Sequence, residues 1–251
     1  MRPLSRHQEE IQKNFRAWRN KPLLQEIYAH FYERILSLID AQAVGTVVEI
    51  GSGIGNLTAY LPEALGTDVF PNPWLDLACD GYDLPFLDGS VSHLVLFDVF
   101  HHLRAPRAFL REARRVLSDS GRLILFEPYM SWCSFPLYGL CHHEPIAWRR
   151  PISAVEESPR PRDYYAAQGN ATRLFFLGQH REWLIEWDVF HAEAFSAFHY
   201  LLSGGYSKPA LYPMAWLAGA RKLDAWLSHW PRWFGARCLV GLRKTINVRS
   251  T

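Results

Sequence analysis

The segment at residues 46–57 constrains the fold more than any other part of the chain. It begins with the short apolar run Thr-Val-Val-Glu-Ile and continues as Gly-x-Gly-x-Gly, with glycines at Gly51, Gly53 and Gly55. A β-branched run that stops at glycines predicts a buried parallel strand. Glycines allow the backbone angles and the close ligand approach that a binding turn requires. We predict a strand, a turn and then a helix over about residues 56–65, whose first N–H groups and dipole would favour a ligand.

The rest of the first half alternates between strand and helix patterns. Residues 5–40 have apolar residues at helical spacing, and Pro22 predicts the start of a second helix there. Residues 106–118 form an amphipathic pattern. Such alternation requires crossover connections and a parallel sheet with covered faces. The further strands are predicted at residues 66–70, 75–79, 93–99 and 122–127.

The second half is different because it carries eight of the ten tryptophans. Residues 183–195 and 236–244 have strand character, 149–163 resemble an exposed loop, and 196–235 predict short aromatic-rich helices. We therefore predict an α/β fold with a doubly wound, mostly parallel seven-stranded sheet. Its parts would be N-terminal helices at 1–44, a cofactor-binding core at 45–128, and the rest of the sheet with a substrate lid at 129–251, all in one domain.

Composition limits the classes of partner. The formal net charge of +2 is too small to favour nucleic acid. A late group of basic residues is explained by a solvated face or by contact with an anionic surface. No signal-peptide core or apolar stretch long enough for a membrane span is present, so we expect the reducing cytoplasm. That basic group is Arg232, Arg237, Arg243, Lys244 and Arg249.

The residues around the turn discriminate between ligands. A Walker loop needs Lys and Ser or Thr after its last glycine, whereas Asn56 and Leu57 follow here. The dinucleotide pattern Gly-x-Gly-x-x-Gly also fails, because position 56 is Asn. Glu49 would repel a diphosphate and suits a ligand with an ammonium group.

These features resemble the first motif of the class I S-adenosylmethionine-dependent methyltransferases. Three further segments resemble that family in the same order: Asp80–Ser90 around the adenine pocket, Asp98–Leu103 after the fourth strand, and Arg114–Leu117 with Gly121 before the fifth. The likeness covers about residues 45–128, roughly a third of the chain. It implies S-adenosylmethionine as cofactor and methyl transfer as activity.

The resemblance also implies roles for individual residues. Asp68 would accept hydrogen bonds from both ribose hydroxyls, with Asp76 as its rival. Asp80 would bind the adenine amino group, and Asp98 would face the sulfonium and the acceptor. The complete cofactor set would be Glu49, Gly51, Ser52, Gly53, Gly55, Asp68, Asp80, Gly81, Asp98 and Val99.

An oxygen acceptor would need a base, and His143, His142 and His101 are the candidates. No metal is expected, because Cys133, Cys141 and His143 lack zinc-ligand spacing. The aromatic second half suggests a lidded, largely apolar acceptor site. The resemblance implies a small or a lipid- or sugar-linked acceptor, and peripheral membrane contact is possible. Two alternatives remain: a non-catalytic S-adenosylmethionine-binding sensor or scaffold, and a nicotinamide oxidoreductase.

Overall fold

The computed structural model describes residues 3–141, 146–153 and 167–245, and across these ranges one seven-stranded sheet organises the chain. Its strand order is β3-β2-β1-β4-β5-β7-β6, in which β7 alone runs antiparallel to its two neighbours. The predicted fold class is thereby confirmed. The strands are β1 (Thr46–Ile50), β2 (Leu65–Asp68), β3 (Leu77–Ala78), β4 (Val91–Phe97), β5 (Leu117–Pro128), β6 (Trp187–Phe195) and β7 (Arg237–Lys244).

Helices cover both faces of the sheet, which explains why every residue of β4 is buried. Alternate residues of β4 pack to opposite sides: Leu94 belongs to the core under α3, and Val95 to the core under α2. Pro22 begins α2 as predicted. The helices are α1 (Pro3–Asn20), α2 (Pro22–Leu36), α3 (Pro106–Val116), α4 (Ser134–Cys141), α5 (Phe198–Leu202), α6 (Leu217–Leu227) and α7 (Pro231–Phe234).

The segment 196–235, called the lid below, contains the short helices α5, α6 and α7, as predicted. A buried hydrogen bond holds it together: Asp224 on α6 accepts from Nδ1 of His199 at 2.5 Å. The N–H groups of Phe198 and His199 donate to the same carboxylate at 2.9 and 2.8 Å. Helix α6 is therefore fixed to the start of α5. No helix in the described ranges is long and apolar enough to cross a membrane.

The predicted helix over residues 56–65 is wrong. A single 3-10 turn, Asn56–Ala59, replaces it. The reason is Pro62, which disfavours helical backbone at Leu61 and whose ring would clash with the carbonyl of Thr58. So short an element has no appreciable dipole. The expectation that the start of a helix would favour the ligand is therefore wrong.

Strand ends also differ from the prediction. Strand β4 stops at Phe97 because Asp98 takes a φ of 59°, which breaks the extended backbone. Strand β6 begins at Trp187 rather than at residue 183. Its partner β7 ends at Lys244, which pairs with Trp187, so no ladder is available further upstream.

Candidate active site

A cavity of about 380 Å³ opens at the carboxyl edge of the central strands. The glycine turn (residues 51–55) and Asp98 border one side, and the lid with Tyr138 of α4 borders the other. Glu10 and Asn14 of α1 contribute to the lining. Ligands of open parallel sheets bind at this edge. The turn and the lid are also joined directly, since Nδ2 of Asn56 donates to the hydroxyl of Tyr206 at 3.0 Å.

The structure explains why glycine is required at two positions of the turn. Gly51 has a φ of 71°, and a Cβ there would lie 2.4 Å from Cγ2 of Val99. Gly53 has a φ of 56°, and a Cβ there would meet only Ile11, at 3.8 Å. A side chain at position 53 would thus occupy the cavity that Gly53 lines. Backbone conformation requires glycine at both positions, and ligand space adds a second requirement at Gly53.

Glu49, two residues before the glycine turn, has a strongly raised pKa. It is buried at the end of β1, and burial, together with the nearby charge of Asp68, raises its pKa to about 8. Its Oε2 atom is buried and has no hydrogen-bond partner among the described residues. Within the same ranges the Oγ atom of Ser52 is buried without a partner too. Both residues line the cavity. An unmatched acid and an unmatched hydroxyl suit a ligand that brings a cation and further polar groups, so this edge fits the amino-acid part of S-adenosylmethionine.

The acids assigned to the ribose and the adenine lie beside the turn but do not line the cavity. Asp68 ends β2 and accepts from the N–H of Gly53 at 3.3 Å and from that of Val69 at 2.7 Å. Asp80 accepts from the N–H of Tyr82 at 3.1 Å, as a turn-forming acid does. Asp76, the rival of Asp68, accepts from the N–H of Gly66 at 2.8 Å. The cofactor roles of Asp68, Asp80 and Gly81 stay predictions.

Asp98 is held by an arginine that the sequence did not suggest. Arg237, the first residue of β7, forms a bidentate ion pair with the Asp98 carboxylate, and its Nη2 lies 2.9 Å from Oδ2. The arginine side chain is 1% exposed and that of Asp98 29%. The guanidinium carbon lies 4.4 Å from the ring centre of Tyr200, which adds a cation–π contact. The prediction that Arg237 belongs to a solvated or surface-binding basic face is therefore wrong, because β7 lies inside the sheet between β5 and β6.

Five tyrosines line the cavity. Burial raises the pKa of Tyr28, Tyr200 and Tyr206, so these phenols are neutral at physiological pH. The hydroxyl of Tyr138 donates to the carbonyl of Ala236 at 2.8 Å. The sequence placed Tyr28 only at helical spacing, which gives no sign of a site. The tyrosines that line the cavity are Tyr28, Tyr32, Tyr138, Tyr200 and Tyr206.

His101 is the one predicted base that the structure describes, and it lines the cavity. Its Nδ1 lies 2.6 Å from Oε2 of Glu127, and both side chains are buried. Glu127 also accepts the N–H groups of Val99 and Phe100, at 2.9 and 2.7 Å. The carboxylate therefore fixes the imidazole with its proton on Nδ1, so Nε2 is the basic nitrogen. His142 and His143 lie outside the described residues.

Among the described residues, Asp98, His101 and Glu127 have potential ligand atoms within 4.8 Å of one another, a spacing that a cation site could use. Their atoms already have other partners: Arg237 binds both oxygens of Asp98, and Glu127 binds backbone N–H groups and His101. A cation would have to displace a buried arginine. The arrangement is better explained as a base with its orienting acid.

A family model described as a methyltransferase domain matches residues 48–125, from the first strand into the fifth. This span contains the glycine turn and the three further segments that resemble the family. Residues 48–125 are therefore a methyltransferase domain, as the resemblance to the class I S-adenosylmethionine-dependent methyltransferases implies. S-adenosylmethionine is accordingly its cofactor and methyl transfer its activity. No curated protein matches the sequence significantly.

Solved structures agree with the fold. A candidate methyltransferase from Haloferax volcanii, solved with the methyltransferase activator Trm112, is 18% identical, and the match covers 93% of this chain and 96% of that chain with a TM-score of 0.51. The [4+2]-cyclase SpnF is 12% identical, over 86% of this chain and 80% of its own, with a TM-score of 0.50. A candidate S-adenosylmethionine-dependent methyltransferase from Methanococcus maripaludis is 19% identical, over 45% of this chain and 61% of its own, with a TM-score of 0.38. At these identities the likeness concerns the fold alone.

Proposed function

We propose that the enzyme methylates a hydroxyl group of an apolar, lipid-like acceptor and that His101 takes the hydroxyl proton. The observation that carries this proposal is the buried contact between Nδ1 of His101 and Glu127 at the lining of the cavity. A hydroxyl is a weak nucleophile until a base removes its proton, whereas a carboxylate or thiolate acceptor would need no such base. The His101–Glu127 pair therefore favours a hydroxyl.

The surroundings support an apolar acceptor. Aromatic side chains of α2, α4 and the lid line the side opposite the glycine turn, together with Leu137, Leu201 and Leu211. Such a lining excludes water and holds a largely apolar molecule. S-adenosylmethionine supplies an activated methyl group, so orientation of the acceptor contributes much of the rate. The tyrosine hydroxyls would orient the acceptor, and Asp98, held by Arg237, would border the reacting atoms.

The proposed role of His101 as the base predicts the effect of replacing it. In His101→Ala, turnover with an apolar alcohol should fall by about 10²–10⁴ because the proton acceptor is lost. Affinity for S-adenosylhomocysteine should stay at the wild-type value, since the unmatched polar atoms that would bind it belong to the glycine turn. Turnover is measured as S-adenosylhomocysteine formed with farnesol and with a long-chain phenol, and affinity by titration calorimetry.

His30→Ala is the matched control, because His30 lies exposed on α2 and contacts only Glu33 in the described contacts. A fatty acid serves as a second control: its carboxylate is already deprotonated, so any methylation of it should be insensitive to His101→Ala. Equal losses with the alcohol and the acid would assign His101 to positioning. Wild-type turnover of the alcohol in the variant would remove it from the reaction.

A further inference from the structure

The outer surface of the lid and the segment before α4 carry large aromatic side chains exposed to solvent. Trp132 is 75% exposed, Trp216 66% and Trp226 57%. They are not scattered: the ring centres of Trp132 and Trp233 are 6.2 Å apart, and those of Trp226 and Trp230 are 5.0 Å apart. Exposed apolar groups of this size mark a surface that contacts something other than water. The tryptophan surface consists of Trp132, Trp216, Leu223, Trp226, Trp230 and Trp233.

Over residues 223–226 helix α6 has its polarity reversed relative to a helix that faces water, whereas Leu217 at its start is buried and Lys222 is exposed. Its buried side carries Asp224, which is 4% exposed and paired with His199. Its outer side carries Leu223 and Trp226, which are more than half exposed. A helix on an aqueous surface places apolar residues inward and acids outward. The sequence of α6 therefore suits an apolar environment outside the lid.

The charged residues near the tryptophan surface indicate what this surface contacts. The lid contains a single acid, the buried Asp224, and residues 129–141 contain no charged residue. Three exposed basic residues, Lys208, Lys222 and Arg232, accompany the tryptophans. Residues 129–141 and the lid thus offer exposed cations and no exposed acid, although the half-exposed Glu26 of α2 pairs with Arg221 of α6. Tryptophan rings flanked by cations are typical of proteins that lie at the surface of an anionic bilayer.

Segments that carry or flank the tryptophan surface also line the candidate active site. Lys208, Leu211 and Leu137 line the cavity, and they come from the lid and from α4, the segments that carry or flank the tryptophans. The N–H of Trp132 donates to the carbonyl of Arg232 at 3.2 Å, so α7 and the segment before α4 form one surface. A molecule that leaves a bilayer under this surface would reach the cavity between the same elements.

We propose that the tryptophan surface docks on an anionic lipid bilayer and that the enzyme takes its acceptor from that bilayer. The second part rests on the proposed function, whereas the first stands on exposure, charge and the reversed helix. A protein partner is the rival occupant, and it predicts no affinity for lipid alone.

Vesicle co-sedimentation tests the docking. The wild-type protein should sediment with phosphatidylcholine vesicles that contain phosphatidylglycerol, much less with phosphatidylcholine alone, and less at high salt. In Lys222→Glu/Arg232→Glu the partition coefficient should fall by about fivefold or more for each charge removed. In Trp226→Ser/Trp233→Ser it should fall by about tenfold or more, because buried aromatic area is lost.

Leu87→Ser is the matched control: Leu87 is 81% exposed but precedes β4, at the opposite edge of the sheet. It should sediment as the wild type does. Thermal unfolding should show the same stabilisation by S-adenosylhomocysteine in all variants. Failure of docking can therefore be distinguished from failure of cofactor binding. No sedimentation of the wild type with anionic vesicles, or equal sedimentation of the tryptophan variant, would overturn the proposal.

Discussion

Replacing Glu49 with Gln should weaken cofactor binding while making the empty protein more stable at neutral pH. Oε2 of Glu49 is buried without a partner in the cavity, and we expect the ligand ammonium to bind there. Loss of a hydrogen bond to a charged group corresponds to about tenfold to a hundredfold in affinity. The gain in stability has a separate cause, namely the raised pKa of the buried acid.

The sign of the stability effect follows from linkage. The folded-state pKa of about 8 lies above the ordinary value of 4.5, so between these pH values the folded chain retains a proton that the unfolded chain has lost. The free energy of unfolding therefore decreases as pH rises from 4.5 to 8. Glu49→Gln removes this penalty, and at pH 7 the gain should be on the order of a few kcal/mol. Chemical unfolding between pH 5 and about pH 8 measures it.

The affinity for the cofactor should also depend on the protonation of Glu49. Below pH 8, binding of the ammonium requires Glu49 to lose its proton, so affinity should rise with pH by up to about tenfold per unit and level off above pH 8. Calorimetry in buffers of different ionisation enthalpy should detect the released proton in the wild type and none in Glu49→Gln. The exposed Glu33→Gln is the control. A pH-independent affinity in the wild type would show that Glu49 does not bind the ammonium.

Arg237→Met should destabilise the protein by about 3 kcal/mol or more, because it removes one partner of a buried ion pair. The arginine is 1% exposed, and the Asp98 carboxylate left behind would face the aromatic lining. Arg243→Met is the matched control: Arg243 lies on the same strand and pairs with Asp188 at 2.7 Å, but its side chain is 57% exposed. Loss of that surface pair should cost less than about 1 kcal/mol.

A double substitution separates the ion pair from simple loss of packing. If the pair accounts for the effect, adding Asp98→Ala to Arg237→Met should restore part of the lost stability, because no unpaired carboxylate remains. Urea unfolding of the four proteins gives the coupling energy. Equal losses for Arg237→Met and Arg243→Met would mean that burial of the Arg237–Asp98 pair has no energetic role.

The fold was predictable because its signals are local. The run from Thr46 to Gly55 determines a strand and a turn within ten residues, and α3 follows from helical spacing and Pro106. The helix predicted after the turn fails for a local reason as well, because Pro62 disfavours helical backbone there.

The partners of His101 and Asp98 were not predictable, because these contacts join distant parts of the chain. His101 and Glu127 are 26 residues apart, and Asp98 and Arg237 are 139 residues apart. Strand order decides the second contact: Arg237 is buried only because β7 inserts between β5 and β6. A basic residue that heads the apolar run Cys-Leu-Val was the one local hint.

Titration calorimetry with S-adenosylhomocysteine, on the wild type and on Gly53→Val, tests the central claim that the glycine turn binds the methyl donor. Gly89→Val is the control, because Gly89 has a φ of 70° with no atom near its Cβ position and lies before β4, away from the cavity. Valine at either position strains the backbone equally, but only at Gly53 would it also fill the cavity. We expect one ligand per chain for the wild type and Gly89→Val, no binding for folded Gly53→Val, and no heat with NAD. Wild-type affinity in folded Gly53→Val, or binding of NAD in place of S-adenosylhomocysteine, would contradict the assignment.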